Sequence, residues 1–224
     1  MLEQFLEYDK WLLLQINGSN STFWDQFMWI YTGRLIWLPL ALSLCYVYCR
    51  KCLLEAILIL LVSAIVVTLT DQISTSFFKP FFARFRPTQD PELLGLVDVV
   101  NNYRGGKYGF ISSHAANAVG MLTFTSLVFR RKIYTISMVI WALLNCYTRI
   151  YLGVHYPGDI LGGTILGLII GIIGYRLYVF VRTSMYYKGW LSDYEVPYVH
   201  TNVFPVLITL YVTWVGILLY AAVA

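Results

Sequence analysis

Charge is scarce in this chain. Lys, Arg, Asp and Glu supply 12% of its 224 residues, about half of the roughly 25% found in soluble domains. The length would allow one or two soluble domains, but apolar runs that approach the ~20 residues of a membrane crossing decide otherwise. Excess charge of one sign is also missing: the formal net charge of +4 makes no case for nucleic-acid binding. Cysteine is sparse. Cys45 and Cys49 lie a helical turn apart in one apolar run and Cys146 inside another, and Cys49-Arg-Lys-Cys52 matches C-x-x-C without the βαβ context of a redox motif. No repeat or low-complexity segment occurs, and a cleavable leader is not expected, because Glu3, Glu7, Asp9 and Lys10 occupy the first turns.

What the chain has in quantity is apolar and aromatic bulk: 58% hydrophobic residues, 17% aromatic, and a mean hydropathy of +0.65. Aromatic side chains concentrate at membrane–water interfaces. The fold class expected is all-α, an integral membrane six-helix bundle forming a single domain over 1–224. Residues 1–34 read as interfacial helices, from FLEYDKWLLLQING and TFWDQFMWIYTG, and 35–223 as six spans near 35–49, 53–77, 113–129, 133–149, 159–181 and 203–223. Gly163, Gly167 and Gly171 recur at four-residue intervals in the fifth span, a spacing that lets helices approach closely.

In an up-and-down bundle, the polar loop 79–112 and the junction YTRIYLGVHYPGD, 147–159, emerge on one face. The other face receives Arg50-Lys51, Arg130-Arg131-Lys132, Arg182 and Lys188. Cytoplasmic loops are rich in Lys and Arg, so the loop and the junction are expected to face the periplasm or the exterior.

Three clusters fall where spans meet that face: Lys79 with Arg86-Pro87; Ser112-Ser113-His114 opening the third span; and Arg149, His155 and Asp159 in the junction. Ionisable groups at membrane depth usually line a functional cavity. Lys79, Arg86 and Arg149 outnumber the one carboxylate, Asp159, so the cavity should take an anion, and arginine's planar fork suits phosphate oxygens. Ser112 stands at a helix N-cap, where backbone N–H groups bind phosphate. Two histidines then divide the labour of phosphoryl transfer: His155, oriented by Asp159, attacks phosphorus, and His114 protonates the leaving oxygen. No metal or cofactor is required, since the cations stabilise the transferred group. Two histidines and a carboxylate could also hold zinc, which three neighbouring cations oppose. Arg84, Arg104 and Lys107 read as solvated charges, and Asp71 as a structural hydrogen-bonding residue inside the second span.

These clusters resemble the type 2 phosphatidic acid phosphatase family, whose signature is K-x6-RP, then P-S-G-H, then S-R-x5-H-x3-D. The first is complete in Lys79 to Arg86-Pro87; the third has Thr148 before Arg149, His155 and Asp159; the second reads Ile111-Ser112-Ser113-His114, with its Pro and Gly replaced. The resemblance implies His155 as nucleophile, Asp159 as its orienting partner and His114 as general acid. It makes Lys79, Arg86, Ser112, Ser113 (through its N–H) and Arg149 the phosphate ligands. It also implies a metal-independent lipid phosphatase of a bacterial inner membrane, acting on a phospholipid, isoprenoid or lipid A phosphate. Lipid A phosphate and undecaprenyl diphosphate lead; phosphatidylglycerol phosphate and phosphatidic acid follow. A catalytically silent protein that binds or moves anionic lipids is the alternative, and vanadium haloperoxidases share the anion ligands but are soluble.

Overall fold

The computed structural model describes residues 1–19, 21–192, 197–199 and 201–224. Among these the regular structure is helical, with one isolated antiparallel bridge, Phe85 to Tyr108. The expected all-α class holds.

The first helix, α1 (Leu2–Ile16), turns Phe5, Tyr8, Trp11 and Leu14 outward. It buries Leu13 against Leu93, Ile150 and Tyr156. Large apolar side chains facing out and two charged residues in its middle, Asp9 and Lys10, fit a helix lying in an interface. The next helix, α2 (Thr22–Tyr31), is held more firmly. It buries Phe27, Met28 and Tyr31, and Tyr151, Leu152, Val154, Ile217 and Ala221 complete that cluster. A bend of 66° separates it from the segment Leu35–Cys49, whose regular part is α3 (Leu38–Cys49), and together the two are long and apolar enough to form one broken crossing. The expected boundary between interfacial and spanning segments, 34/35, falls inside that bend.

Four stretches cross on length and composition by themselves: Leu53–Phe82, Lys132–Tyr151, Pro157–Tyr187 and Phe204–Val223. The first comprises α4 (Leu53–Gln72), a π-helical turn (Ile73–Phe78) and α5 (Lys79–Phe82); the others are α7, α8 and α9. Between α4, α7 and α8 stands α6 (Ser113–Phe129), 17 residues long. At 1.5 Å per residue it spans about 25 Å, a little short of the ~30 Å hydrocarbon core. With the bent pair counted as one span, five stretches among the described residues are long and apolar enough to cross; α6, expected as a further span, is shorter than that.

The tightest joint lies between α6 and α8. A Cβ built on Gly163 would come 2.4 Å from the Ser112 carbonyl oxygen, one on Gly167 2.6 Å from that of Ala116, and one on Gly171 2.7 Å from that of Gly120. The glycine stripe is therefore a packing face, as expected, and brings backbone against backbone. It also delivers the start of α6 to the start of α8, where the Ser112 N–H donates to the Asp159 carbonyl at 3.0 Å.

The loop after α5 folds back over these helix ends. Backbone bonds from Arg86 to Lys107 and from Gly109 to Arg84 pin its two limbs together, and Thr88 N–H donates to the Gly153 carbonyl. At the other end of the bundle, Arg182 is buried and ion-paired with Glu55 (2.6 Å), whose second oxygen accepts from Tyr178 at 3.1 Å. The expectation that Arg182 belongs to an exposed basic face is corrected: an opposite charge 127 residues away in sequence draws it into the core.

Candidate active site

The junction between α7 and α8 is shaped by two caps. Pro157 starts α8 with a φ already suited to a helix, and the Asp159 carboxylate reaches back to accept the Tyr156 N–H at 3.1 Å. The same oxygen, Oδ2, lies 3.2 Å from Nδ1 of His155. On the far side of the ring, Nε2 lies 3.0 Å from Nη1 of Arg86, which also donates to the Val154 carbonyl. Guanidinium can only donate. Nε2 is therefore the acceptor, so Nδ1 carries the proton and gives it to Asp159. Burial, then Arg86, Arg149, Lys79 and His114, push the His155 pKa well below the usual value, so the ring is neutral at pH 7. A neutral imidazole with a lone pair at Nε2 is a nucleophile in waiting.

The cations gather around that lone pair. Arg86 and Arg149 are almost wholly buried, and the Nε of each has no hydrogen-bond partner among the described residues. Burial first, and Arg149 second, hold the Arg86 pKa below its ordinary value, yet a guanidinium stays charged. Arg149 donates to Thr32 Oγ1 at 2.6 Å and lies over the Tyr103 ring. Lys79 Nζ reaches Ser113 Oγ at 3.4 Å. Buried guanidiniums with orphaned N–H groups ask for an anion with several acceptor oxygens. Ser112 caps α6, its Oγ accepting the Ala115 N–H at 3.4 Å, which leaves the hydroxyl proton available. His114, one residue into α6, has no hydrogen-bond partner among the described residues; it sits with Arg149 and Tyr103 on the wall of a cavity of about 440 Å³. All eight residues singled out from sequence thus meet at one end of the bundle.

Two residues outside that set complete the site. Arg84, expected to be solvated, is 17% exposed and bridges two carboxylates: Nη1 to Asp159 Oδ1 at 3.1 Å and Nη2 to Asp9 Oδ2 at 2.7 Å. Its guanidinium also stacks 4.0 Å from the Tyr156 ring centroid. Asp9, on α1, is 3% exposed and accepts the Gly158 N–H at 2.7 Å with its other oxygen. The carboxylate that orients His155 is thus itself held by an arginine anchored on the N-terminal helix. Arg104 and Lys107 are exposed, as expected. Asp71 is not the hydrogen-bonding strut expected of it: none of the side-chain bonds found among the described residues uses its carboxylate, and the residue lines a cavity of about 570 Å³ together with His114 and Ser113. Among the described residues no group of three or more His, Cys, Asp or Glu side chains could hold a metal ion.

The model of the PAP2 superfamily matches residues 53–183, which include every motif residue. A lipid A 4'-phosphatase of Porphyromonas gingivalis is 40% identical over 185 residues, covering 81% of this chain and 78% of that protein. One of Bacteroides thetaiotaomicron is 42% identical over 170 residues, 75% of each chain. An undecaprenyl-diphosphatase of Bacillus subtilis shares 34% identity over 67 residues, 30% of this chain and 34% of that one. No solved structure matches. A helical membrane bundle that closes two histidines, an aspartate, two buried arginines and a half-buried lysine at one end, and matches the family model across all of them, belongs to the PAP2 superfamily.

Proposed function

We propose that this chain, a single membrane domain over 1–224, is a lipid phosphatase that removes a phosphate monoester or diphosphate from an envelope lipid. Lipid A 4'-phosphate is the favoured substrate, followed by undecaprenyl diphosphate; the similarity to lipid A 4'-phosphatases over three quarters or more of the chain supports that order. The observation that carries the reading is the His155 ring, neutral, pinned at Nδ1 by Asp159 and covered at Nε2 by Arg86.

The phosphate enters among Arg86, Arg149, Lys79, Ser112 and Ser113 and draws the Arg86 fork onto its oxygens. That movement uncovers Nε2, which attacks phosphorus in line as the bond to the lipid oxygen breaks. His114 donates a proton to the departing oxygen, and the dianion beside it supplies the counter-charge an imidazolium needs. Asp159 steadies the positive charge on the phosphorylated ring. A water, deprotonated by the now neutral His114, then attacks the phosphohistidine and releases inorganic phosphate. The cations do the electrostatic work, so the reaction is independent of metal.

The site faces the periplasmic side of a bacterial inner membrane, and the anion-binding alternative without catalysis leaves the Asp159–His155 pair without a task. Phosphate release by the purified protein, measured against lipid A, undecaprenyl diphosphate, phosphatidylglycerol phosphate and phosphatidic acid with EDTA present, tests the reading. Release is expected from at least one lipid and undiminished by EDTA; no release from any of them overturns it.

A further inference from the structure

The three elements that bring the phosphate ligands carry a second tier of polar residues deeper in the bundle. Asn117 follows Ser113 by four positions on α6, and Asn145 precedes Arg149 by four on α7, so each lies one turn below its partner on the same face. Asp71 and Gln72 end α4 two turns before Lys79, about 10–12 Å further down. All four border the cavity of about 570 Å³ that opens beside His114 and Ser113, a volume within the range of small-molecule sites.

This tier is only partly satisfied. Asn117 Oδ1 accepts from Thr70, and Asn145 Nδ2 donates to the Trp141 carbonyl. The Asn117 amide nitrogen, the Asn145 amide oxygen and the Asp71 carboxylate have no bond among those of the described residues, and the buried Trp141 Nε1 has no partner. Polar groups inside a bundle serve as glue between helices when they bond one another. Here the open valences point the other way, toward a polar occupant. Two indoles frame it, Trp37 and Trp141, with centroids 5.6 Å apart and planes at 86°.

From this we infer that the chamber is a subsite for a sugar ring carrying the scissile phosphate. A ring hydroxyl both donates and accepts, so adjacent hydroxyls match a carboxylate and carboxamides, and the C–H face of the ring suits an indole. An isoprenoid chain would strand the open groups of Asp71, Asn117 and Asn145 in hydrocarbon, and a diacylglycerol offers ester carbonyls, which cannot donate to Asp71. The inference rests on the phosphatase reading and adds the part of the substrate next to the phosphate.

The test is a ratio: kcat/KM for lipid A bearing its 4'-phosphate, divided by kcat/KM for phosphatidic acid, in the same detergent. Asp71→Asn, Asn117→Ala and Asn145→Ala should each lower it roughly tenfold, the value of one buried hydrogen bond. A ratio that stays put in all three, however far both rates fall, overturns the subsite. A second readout keeps this apart from failure of the phosphatase reading. With turnover stopped in His155→Ala, tryptophan fluorescence titration compares affinity for the same two lipids. A preference for the sugar lipid that Asp71→Asn removes supports the subsite even if no lipid is hydrolysed; equal affinities overturn it.

Discussion

Arg86 Nη1 caps Nε2 of His155 at 3.0 Å. In the proposed mechanism it occupies the place the phosphoryl group takes, so the nucleophile is guarded by the residue that then binds the substrate's oxygens. Replacing His155 by alanine removes the attacking atom and is expected to cut phosphate release at least about 10³-fold, with the protein still folded in detergent by size-exclusion and circular dichroism. The same ring has a stability signature. Its folded pKa lies below the unfolded value near 6.5, so between the two the unfolded chain holds the extra proton. Native stability is full above about pH 6.5 and falls as the pH drops, by at most about 1.4 kcal/mol per pH unit from this residue. Melting temperature measured from pH 8 to 5 should decline, and His155→Gln should flatten that decline.

The motif residues were readable from spacing because helix ends carry them; Arg84 and Asp9 were not, for a physical reason. Each looks like an ordinary surface charge until the fold brings them together across 75 residues, with Asp159 a further 75 along. Nothing in local sequence records such a pairing, whereas a capping aspartate after Pro-Gly is a local matter. Asp9→Asn keeps an acceptor for the Gly158 N–H but weakens the hold on Arg84. Expected is a fall in kcat of about tenfold, one charge-assisted hydrogen bond, with KM nearly unchanged. Arg84→Lys should recover part of what Arg84→Gln loses; a change confined to KM would assign Asp9 to substrate binding instead.

At the scale of elements, the α6–α8 joint decides whether the site exists. Gly167 lies so close to α6 that an added Cβ would meet Ala116 O at 2.6 Å and Gly120 N at 2.9 Å, both backbone atoms that cannot step aside. Gly167→Leu must part the helices, and the Ser112–Asp159 contact at their shared end goes with them. Loss of most activity together with a melting temperature lower by several degrees is expected, since overpacking costs about 1–3 kcal/mol. Gly216 on α9 is the control. Nothing lies within 4 Å of its would-be Cβ, so Gly216→Ala should leave activity intact and add about 0.5–1 kcal/mol of helix stability. The glycine spacing was legible as packing. The bend between α2 and α3 was less so, because a short apolar helix and the first half of a broken span share the same composition, and only the burial of Phe27, Met28 and Tyr31 separates them.

At the scale of the whole molecule, orientation turns on which cations are free. Sequence alone offers Lys and Arg at both ends of the bundle and so argues weakly. The fold separates them. Lys79, Arg84, Arg86 and Arg149 are engaged in the site, which leaves Arg34, Arg104 and Lys107 exposed at that end. At the other end Arg50, Arg130, Arg131, Lys132 and Lys188 are exposed, even with Arg182 withdrawn into its pair with Glu55. Counting only exposed cations, the positive-inside rule supports the proposed orientation, with the end away from the site in the cytoplasm. Two exposed native cysteines, Cys49 and Cys52, mark that end, where α3 gives way to α4, while Cys146 is buried. A membrane-impermeant maleimide should therefore leave intact spheroplasts unlabelled and label inside-out vesicles. Lys107→Cys, placed on the Cys49→Ser, Cys52→Ser background, should reverse the pattern. Labelling of Cys49 and Cys52 from outside the cell would turn the molecule over and send the phosphate to the cytoplasm.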